Sequence, residues 1–83
     1  MRYTVVEVPI ARRALARFWT NAPDQQAVTD ASNEIDRLLK SVPHQCGIPF
    51  GLFRRLTVAP LEVMYHVSPD DCLVTIYSYR LVS

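Results

Sequence analysis

The fold is decided by residues 53–82, which read FRRLTVAPLEVMYHVSPDDCLVTIYSYRLV. Apolar and β-branched residues alternate with polar ones through most of this stretch, a pattern typical of half-buried strands. Ala59-Pro60 and residues 68–71 interrupt the alternation with residues that favour turns. The segment therefore predicts an antiparallel meander of three strands.

The two turns fix a predicted register. If Ala59-Pro60 forms the first turn, Val58 faces Leu61, and if residues 68–71 form the second, Val67 faces Cys72. Side chains of a strand alternate between its two faces, so one face packs on the helices and the other stays open. The register places these residues on the helix side: Leu56, Val58, Leu61, Val63, Tyr65, Val67, Val74 and Ile76. It places these polar and aromatic residues on the open side: Arg55, Glu62, His66, Tyr77 and Tyr79.

The second register also pairs Glu62 with Tyr77. Arg54 points inward in this scheme, whereas a bulge in the Arg54-Arg55 stretch would exchange the two arginines.

The rest of the chain predicts one more strand and two helices. Residues 1–8 form a β-branched run closed by Pro9, which favours a first strand. Apolar residues then recur at helical spacing from Ile10 to Trp19, and again from about Pro23 to Lys40. Residues 43–51 hold two prolines and both glycines, which indicates a loop. The order β-α-α-β-β-β predicts a single α+β domain over residues 1–83, with a helical hairpin on one face of a small, mainly antiparallel sheet.

Composition limits the functional classes. The chain has 83 residues, 49% of them hydrophobic, and a formal charge of +1, which gives little support to general nucleic-acid binding. Two cysteines without a signal-like start favour a reduced, cytoplasmic location, and no run is apolar enough to span a membrane. The two His and two Cys do not show the spacing of a zinc site, so we expect neither a metal nor a cofactor.

The chain resembles the RelE/ParE toxins of bacterial type II toxin–antitoxin systems. The resemblance extends over nearly the whole sequence. It rests on the opening Tyr3-Thr4-Val5-Val6 strand, the Ala11–Trp19 helix, Arg54-Arg55-Leu56 and the strand at residues 60–67. It implies a growth inhibitor that a cognate antitoxin neutralises, associated with plasmid stabilisation in this family. The target would be DNA gyrase, as for ParE-like members, or messenger RNA on the ribosome, as for RelE-like endoribonucleases.

An RNA-cleaving member would need a base, an acid and cationic groups at the phosphate. Glu62 or His66 could serve as the base, and His66 or Tyr79 as the acid. Candidate phosphate-binding and catalytic residues are therefore Arg54, Arg55, His66, Tyr79 and Arg80.

Strand geometry argues against a simple nuclease site. Glu62 and His66 are four residues apart, roughly 13 Å at ~3.3 Å per residue, which is too far to share one phosphodiester without sharp coiling. Arg55 and Glu62 lie diagonally across the first hairpin and could neutralise each other. The chain also resembles gyrase-directed members more than ribosome-dependent ones, and the resemblance to the former implies no required acid–base set. An inactive homologue that only binds its antitoxin is a third interpretation.

The open face predicts a partner. Apolar residues among its polar ones, such as Phe53 and Met64, leave more apolar surface than a small monomer usually exposes. The occupant would be an antitoxin segment or a second copy of the chain in a homodimer.

Overall fold

The computed structural model describes residues 2–82, which build one five-stranded sheet with two helices on one face. The elements follow in chain order: β1 (Thr4–Glu7), α1 (Pro9–Asn21), α2 (Gln25–Ser41), β2 (Ile48–Phe50), β3 (Phe53–Val58), β4 (Leu61–Ser68) and β5 (Leu73–Leu81).

The strands lie in the order β1-β5-β4-β3-β2. The last four strands of the chain are joined by antiparallel pairing, whereas β1 pairs in parallel with β5, with Thr4 opposite Leu73. The helical hairpin connects β1, at one edge of the sheet, to β2, at the opposite edge. The predicted α+β class, with a helical hairpin on one face of a mainly antiparallel sheet, is confirmed.

One element was missed by the sequence analysis. The expected loop over residues 43–51 contains β2, which pairs with β3 through a two-residue turn at Gly51-Leu52. Gly51 has φ +63°, as the first central residue of a type II′ hairpin turn requires. Pro49 lies on this outermost strand, where proline is tolerated because an edge strand does not need every ladder hydrogen bond. Three residues with a central proline carry too little pattern to predict a strand.

Both helix starts follow from local chemistry. Pro9 occupies the first turn of α1, where its missing N–H is not needed. Asp24 caps α2, since its side chain accepts a hydrogen bond from the Ala27 backbone N–H at 3.1 Å.

The core lies between the helices and the inner face of the sheet. The helical spacing in α2 predicts a buried stripe through Val28, Ala31, Ile35 and Leu38, and the first three are almost fully buried. Leu39, expected only to widen the stripe, is fully buried, whereas Leu38 is partly buried. The buried sheet residues are Leu56, Leu61, Val63, Tyr65, Val74, Ile76 and Tyr79, and Val58 and Val67 pack partly buried against them. Trp19, at the end of the apolar stripe of α1, lies outside the core, since it is 44% exposed and its Nε1–H donates to Thr29 Oγ1 of α2 at 2.9 Å.

The first predicted hairpin register is confirmed. Val58 faces Leu61 across the Ala59-Pro60 turn, and Leu56 faces Val63. The pairing runs through Arg54 and Arg55 without the bulge considered for that stretch. Arg54 lies opposite Tyr65 on the helix side, as expected.

The second predicted register is wrong. The turn spans residues 69–72, so that Ser68 pairs with Leu73 and Val67 with Val74 rather than with Cys72. Two local features favour this position of the turn. The Ser68 hydroxyl lies 3.1 Å from a carboxylate oxygen of Asp71, and Cys72 adopts φ +49°, so it continues the turn. A shift by two residues keeps every side chain on its predicted face.

A bulge in β5 then reverses the face of the sheet to which the last side chains of the strand point. Tyr65 pairs with Ile76 but Met64 pairs with Ser78, which leaves Tyr77 as the extra residue. Beyond it, Tyr79 faces Val63 on the buried side. The placement of Tyr79 on the open face is therefore wrong, as is the pairing of Glu62 with Tyr77.

Candidate functional site

An aromatic cluster with one arginine occupies the open face of the sheet. We call Phe50, Phe53, Arg55, His66 and Tyr77 the open-face cluster. The Phe53 ring meets Tyr77 edge-on at 5.3 Å between centroids and His66 at 6.3 Å. The Arg55 guanidinium lies over the Phe50 ring, 5.4 Å from its centroid. Because Tyr77 is 43% exposed, the cluster presents aromatic surface to the solvent beside a cation.

Glu62 is neutralised at the margin of this cluster. Its Oε1 lies 2.7 Å from Arg80 Nη2, and its Oε2 lies 4.0 Å from Arg55 Nε. Thr57 Oγ1 also donates to Oε2, at 3.2 Å. The predicted contact between Arg55 and Glu62 is confirmed as the longer of two ion pairs. The closer partner, Arg80, was missed because only the bulge in β5 brings it opposite Glu62.

Tyr79 is held on the opposite side of the sheet. Its side chain is almost fully buried, and its hydroxyl donates to Glu7 Oε2 of β1. Glu7 Oε1 in turn lies 3.7 Å from Arg12 Nε. Burial, and next the contact with Glu7, raises the pKa of Tyr79 well above the ordinary value of tyrosine. Tyr79 therefore closes a buried contact between β5 and β1 and does not face the open-face cluster.

Arg54 is also directed away from the open face. Its Nε donates to the Cys46 carbonyl at 3.2 Å and its Nη2 to the Gly47 carbonyl at 3.3 Å. This contact ties β3 to the loop that follows α2.

The Tyr65 hydroxyl contacts the same loop, the one that follows α2, from its buried side. It lies 2.9 Å from the carbonyl oxygens of both Pro43 and Cys46, and 3.5 Å from Cys46 Sγ. Burial, and next the Cys46 side chain, raises the pKa of Tyr65 above the range of ordinary tyrosines. Arg54 and Tyr65 together hold the loop of residues 43–47 against the sheet.

The five residues proposed from the sequence thus divide into two groups. Arg55, Arg80 and His66 lie on the open face, whereas Arg54 and Tyr79 lie behind it. The two candidate bases, His66 and Glu62, lie apart on the sheet. His66 pairs with Thr75, whereas Glu62 pairs with Arg80. Phe50 was not predicted to join the cluster because its strand was not predicted.

Neither a membrane span nor a metal cluster is found in residues 2–82. None of the described helices combines the length and apolar character needed to cross a membrane. Within the same range, no group of three or more His, Cys, Asp or Glu side chains converges on one point.

The order of strands and the placement of the hairpin define the RelE/ParE fold. The structure of the RelBE2 toxin–antitoxin complex from Mycobacterium tuberculosis is similar over 98% of this chain and 92% of its own, with a TM-score of 0.77 and 14% identity. The chromosomal ParDE system of P. aeruginosa is similar over 99% of this chain and 98% of its own, with a TM-score of 0.74 and 15% identity. The isolated E. coli RelE toxin is similar over 98% of this chain and 85% of its own, with a TM-score of 0.69 and 10% identity.

These neighbours include both RelE and ParE types, so the shared fold does not distinguish between them. No protein-family model and no curated protein sequence matches the chain. The RelE/ParE resemblance noted in the sequence is confirmed at the level of the fold.

Proposed function

We propose that this protein is the toxin of a type II toxin–antitoxin pair, directed against DNA gyrase and neutralised by a cognate antitoxin. The fold supports the toxin part, because its structural neighbours are toxins crystallised alone or with antitoxins. The preference for gyrase over messenger RNA depends on the open face of the sheet.

This preference rests on one observation: two of the acid–base candidates are already bonded to other side chains of the protein. Glu62 is paired with Arg80 at 2.7 Å, and the Tyr79 hydroxyl is bonded to Glu7 on the far side of the sheet. A general base must be free to take a proton, and a general acid must reach the leaving group. His66 remains, in contact with the Phe53 ring, and neither the Glu62 carboxylate nor the Tyr79 hydroxyl is free to work with it, which favours a surface that binds a protein target.

Induced expression in a bacterial host tests both parts of the proposal. We expect growth to stop after induction of the wild-type chain, and to resume when its cognate antitoxin is co-expressed. Purified protein should inhibit supercoiling by gyrase, whereas primer extension should find no new cuts in messenger RNA. Normal growth with the folded wild-type chain would contradict the toxin proposal.

His66→Ala separates the two targets. For a gyrase-directed toxin we expect this variant to retain growth inhibition within about twofold, because no proton transfer depends on the imidazole; loss of a general acid or base costs about 10²–10⁴ in rate. Thr75→Ala, on the strand opposite His66, is the matched control for a change on this rung. Loss of inhibition in the histidine variant alone, together with new cuts made by the wild type, would overturn the gyrase assignment.

A ribosome-dependent endoribonuclease is the second candidate. The open-face cluster favours it, because aromatic rings next to an arginine can stack on unpaired bases. Phe53→Ala and Tyr77→Ala would then abolish cleavage of messenger RNA. Should the folded wild type bind the antitoxin without affecting growth, supercoiling or messenger RNA, the chain is an interaction domain only.

A further inference from the structure

The outer edge of β1 carries backbone groups that no strand covers. β1 lies at one end of the sheet, where it pairs with β5 alone. The Thr4 N–H donates toward β5, to the Cys72 carbonyl at 2.9 Å. Because the backbone groups of successive residues point to opposite edges of a strand, those of Val5 and Glu7 point away from β5.

Two N–H groups at this edge have no backbone partner. Tyr3, just before β1, already donates its N–H to the Lys40 carbonyl at the end of α2, at 2.9 Å. In the described chain, residues 2–82, no backbone hydrogen bond engages the N–H of Val5 or Glu7. Pro9 then ends the edge, since proline has no N–H. The unpaired part of the edge is therefore Val5, Glu7 and the residue between them.

That residue, Val6, adds apolar surface to the edge. Its side chain is 40% exposed. Successive side chains alternate between the two faces of a strand, so Val6 lies on the open face, opposite to Glu7, whose carboxylate contacts Tyr79 and Arg12 on the helix side. An exposed edge with an uncharged β-branched residue at its centre favours pairing with another strand.

A second copy of β1 fits this edge in one antiparallel register. If a two-fold axis passes through Val6, Val5 of each copy pairs with Glu7 of the other, and each pair exchanges two backbone hydrogen bonds. Both free N–H groups of each copy then find an acceptor. Tyr3 lies opposite Pro9 at either end, and this position leaves no donor unpaired, because the Tyr3 N–H is bound to α2 and proline has none.

The two neighbouring registers fit less well. An axis through Val5 would set Glu7 opposite Tyr3, whose N–H is already bound to α2. An axis through Glu7 would set two carboxylates directly opposite each other, which is destabilising, and would set Val5 opposite Pro9. In the register centred on Val6, each Glu7 faces a valine and keeps the ion pair with α1 of its own chain. Hydrogen bonding and charge therefore select the same register.

We propose that β1 pairs antiparallel with β1 of a second copy about a two-fold axis at Val6, so that two sheets join into one. The contact is short, so the dimer is weak and dissociates on dilution. Pairing at the edge leaves the open-face cluster of both copies uncovered. The proposal goes beyond the toxin assignment and does not depend on it, since association can be measured on the isolated chain.

Charge exchange at Val6 tests the axis. Val6→Glu sets two carboxylates against each other at the two-fold axis, and Val6→Lys sets two ammonium groups there. We expect each variant alone to dimerise at least about tenfold more weakly than the wild type, because like charges repel across an interface. An equal mixture of the two variants should form a heterodimer, since opposite charges then meet. Sedimentation velocity over a series of concentrations measures association, and circular dichroism checks that each variant is folded.

Ala16→Glu and Ala16→Lys are the matched controls. Ala16 is exposed on α1, on the other side of the sheet from Val6. Both variants should dimerise as the wild type does. A wild-type chain that stays monomeric up to its solubility limit would overturn the proposal and leave the edge to a different chain. Dimerisation of either Val6 variant as tight as that of the wild type, or failure of the folded variants to associate when mixed, would contradict an axis at Val6.

Discussion

Gly47→Ala is expected to destabilise the protein by about 3 kcal/mol, more than the same change at the other glycine of the chain. A Cβ at this position would lie 2.6 Å from the carbonyl oxygen of Arg55 and 3.2 Å from the Tyr65 hydroxyl. The backbone also has φ +71°, a left-handed conformation that costs an alanine about 1–2 kcal/mol. The clash adds to this cost because the oxygen belongs to β3 and cannot move without disturbing the sheet.

Gly51→Ala is the matched control for the conformational part of this effect. Gly51 has φ +63°, but no heavy atom lies within 4 Å of an added Cβ. We expect a loss of about 1 kcal/mol from the left-handed conformation alone. Urea denaturation followed by circular dichroism measures both variants. Equal destabilisation by the two substitutions would show that the loop at Gly47 relaxes away from β3, contrary to its close packing in the structure.

Steep loss of stability above about pH 10 is the second expected result. Tyr65 and Tyr79 are both nearly inaccessible to solvent, and burial raises the pKa of each above the ordinary value of about 10. Above pH 10 the unfolded chain releases these two protons while the folded chain keeps them. The unfolded state therefore binds fewer protons, and the free energy of unfolding falls as the pH rises. Below pH 10 both states hold the protons, and the two groups add no pH dependence.

The expected slope is about 1.4 kcal/mol per pH unit for each tyrosine, or about 2.7 for both. Urea denaturation at a series of alkaline pH values measures it. Tyr65→Phe and Tyr79→Phe should each remove about half of the slope, although each also lowers stability at neutral pH because it leaves carbonyl or carboxylate acceptors without a donor. Tyr77→Phe, on the open face, should keep the full slope. A slope that none of the buried variants changes would contradict this assignment.

The sequence predicted the parts of the fold that depend on long periodic patterns. The α2 stripe through Val28, Ala31 and Ile35 and the register of β3 with β4 were both correct, because many residues and a short turn specify each of them. The strand β2 was missed because three residues do not define a period.

The candidate site was harder to predict from the sequence. One extra residue in β5, Tyr77, explains most of the residues that were placed wrongly. The bulge at Tyr77 exchanges the faces of the residues that follow it, so Tyr79 becomes buried and Arg80 reaches Glu62. Alternation alone cannot reveal an extra residue, since both arrangements read as the same pattern in the sequence. The contact of Tyr79 with Glu7 was equally hidden, because the chain alone did not indicate that β1 lies beside β5.

The short outer strand β2 also determines how the sheet can meet other chains. Sheet edges tend to recruit further strands from neighbouring molecules, and proline or short length at an edge discourages such growth. With Pro49 at the centre of a three-residue strand, this margin of the sheet is a poor template for strand addition. Pairing of many copies into one continuous sheet would need two edge strands on each molecule that can pair with a neighbour. Edge-to-edge pairing of native molecules is therefore expected at β1 rather than at β2, which limits such pairing to two copies.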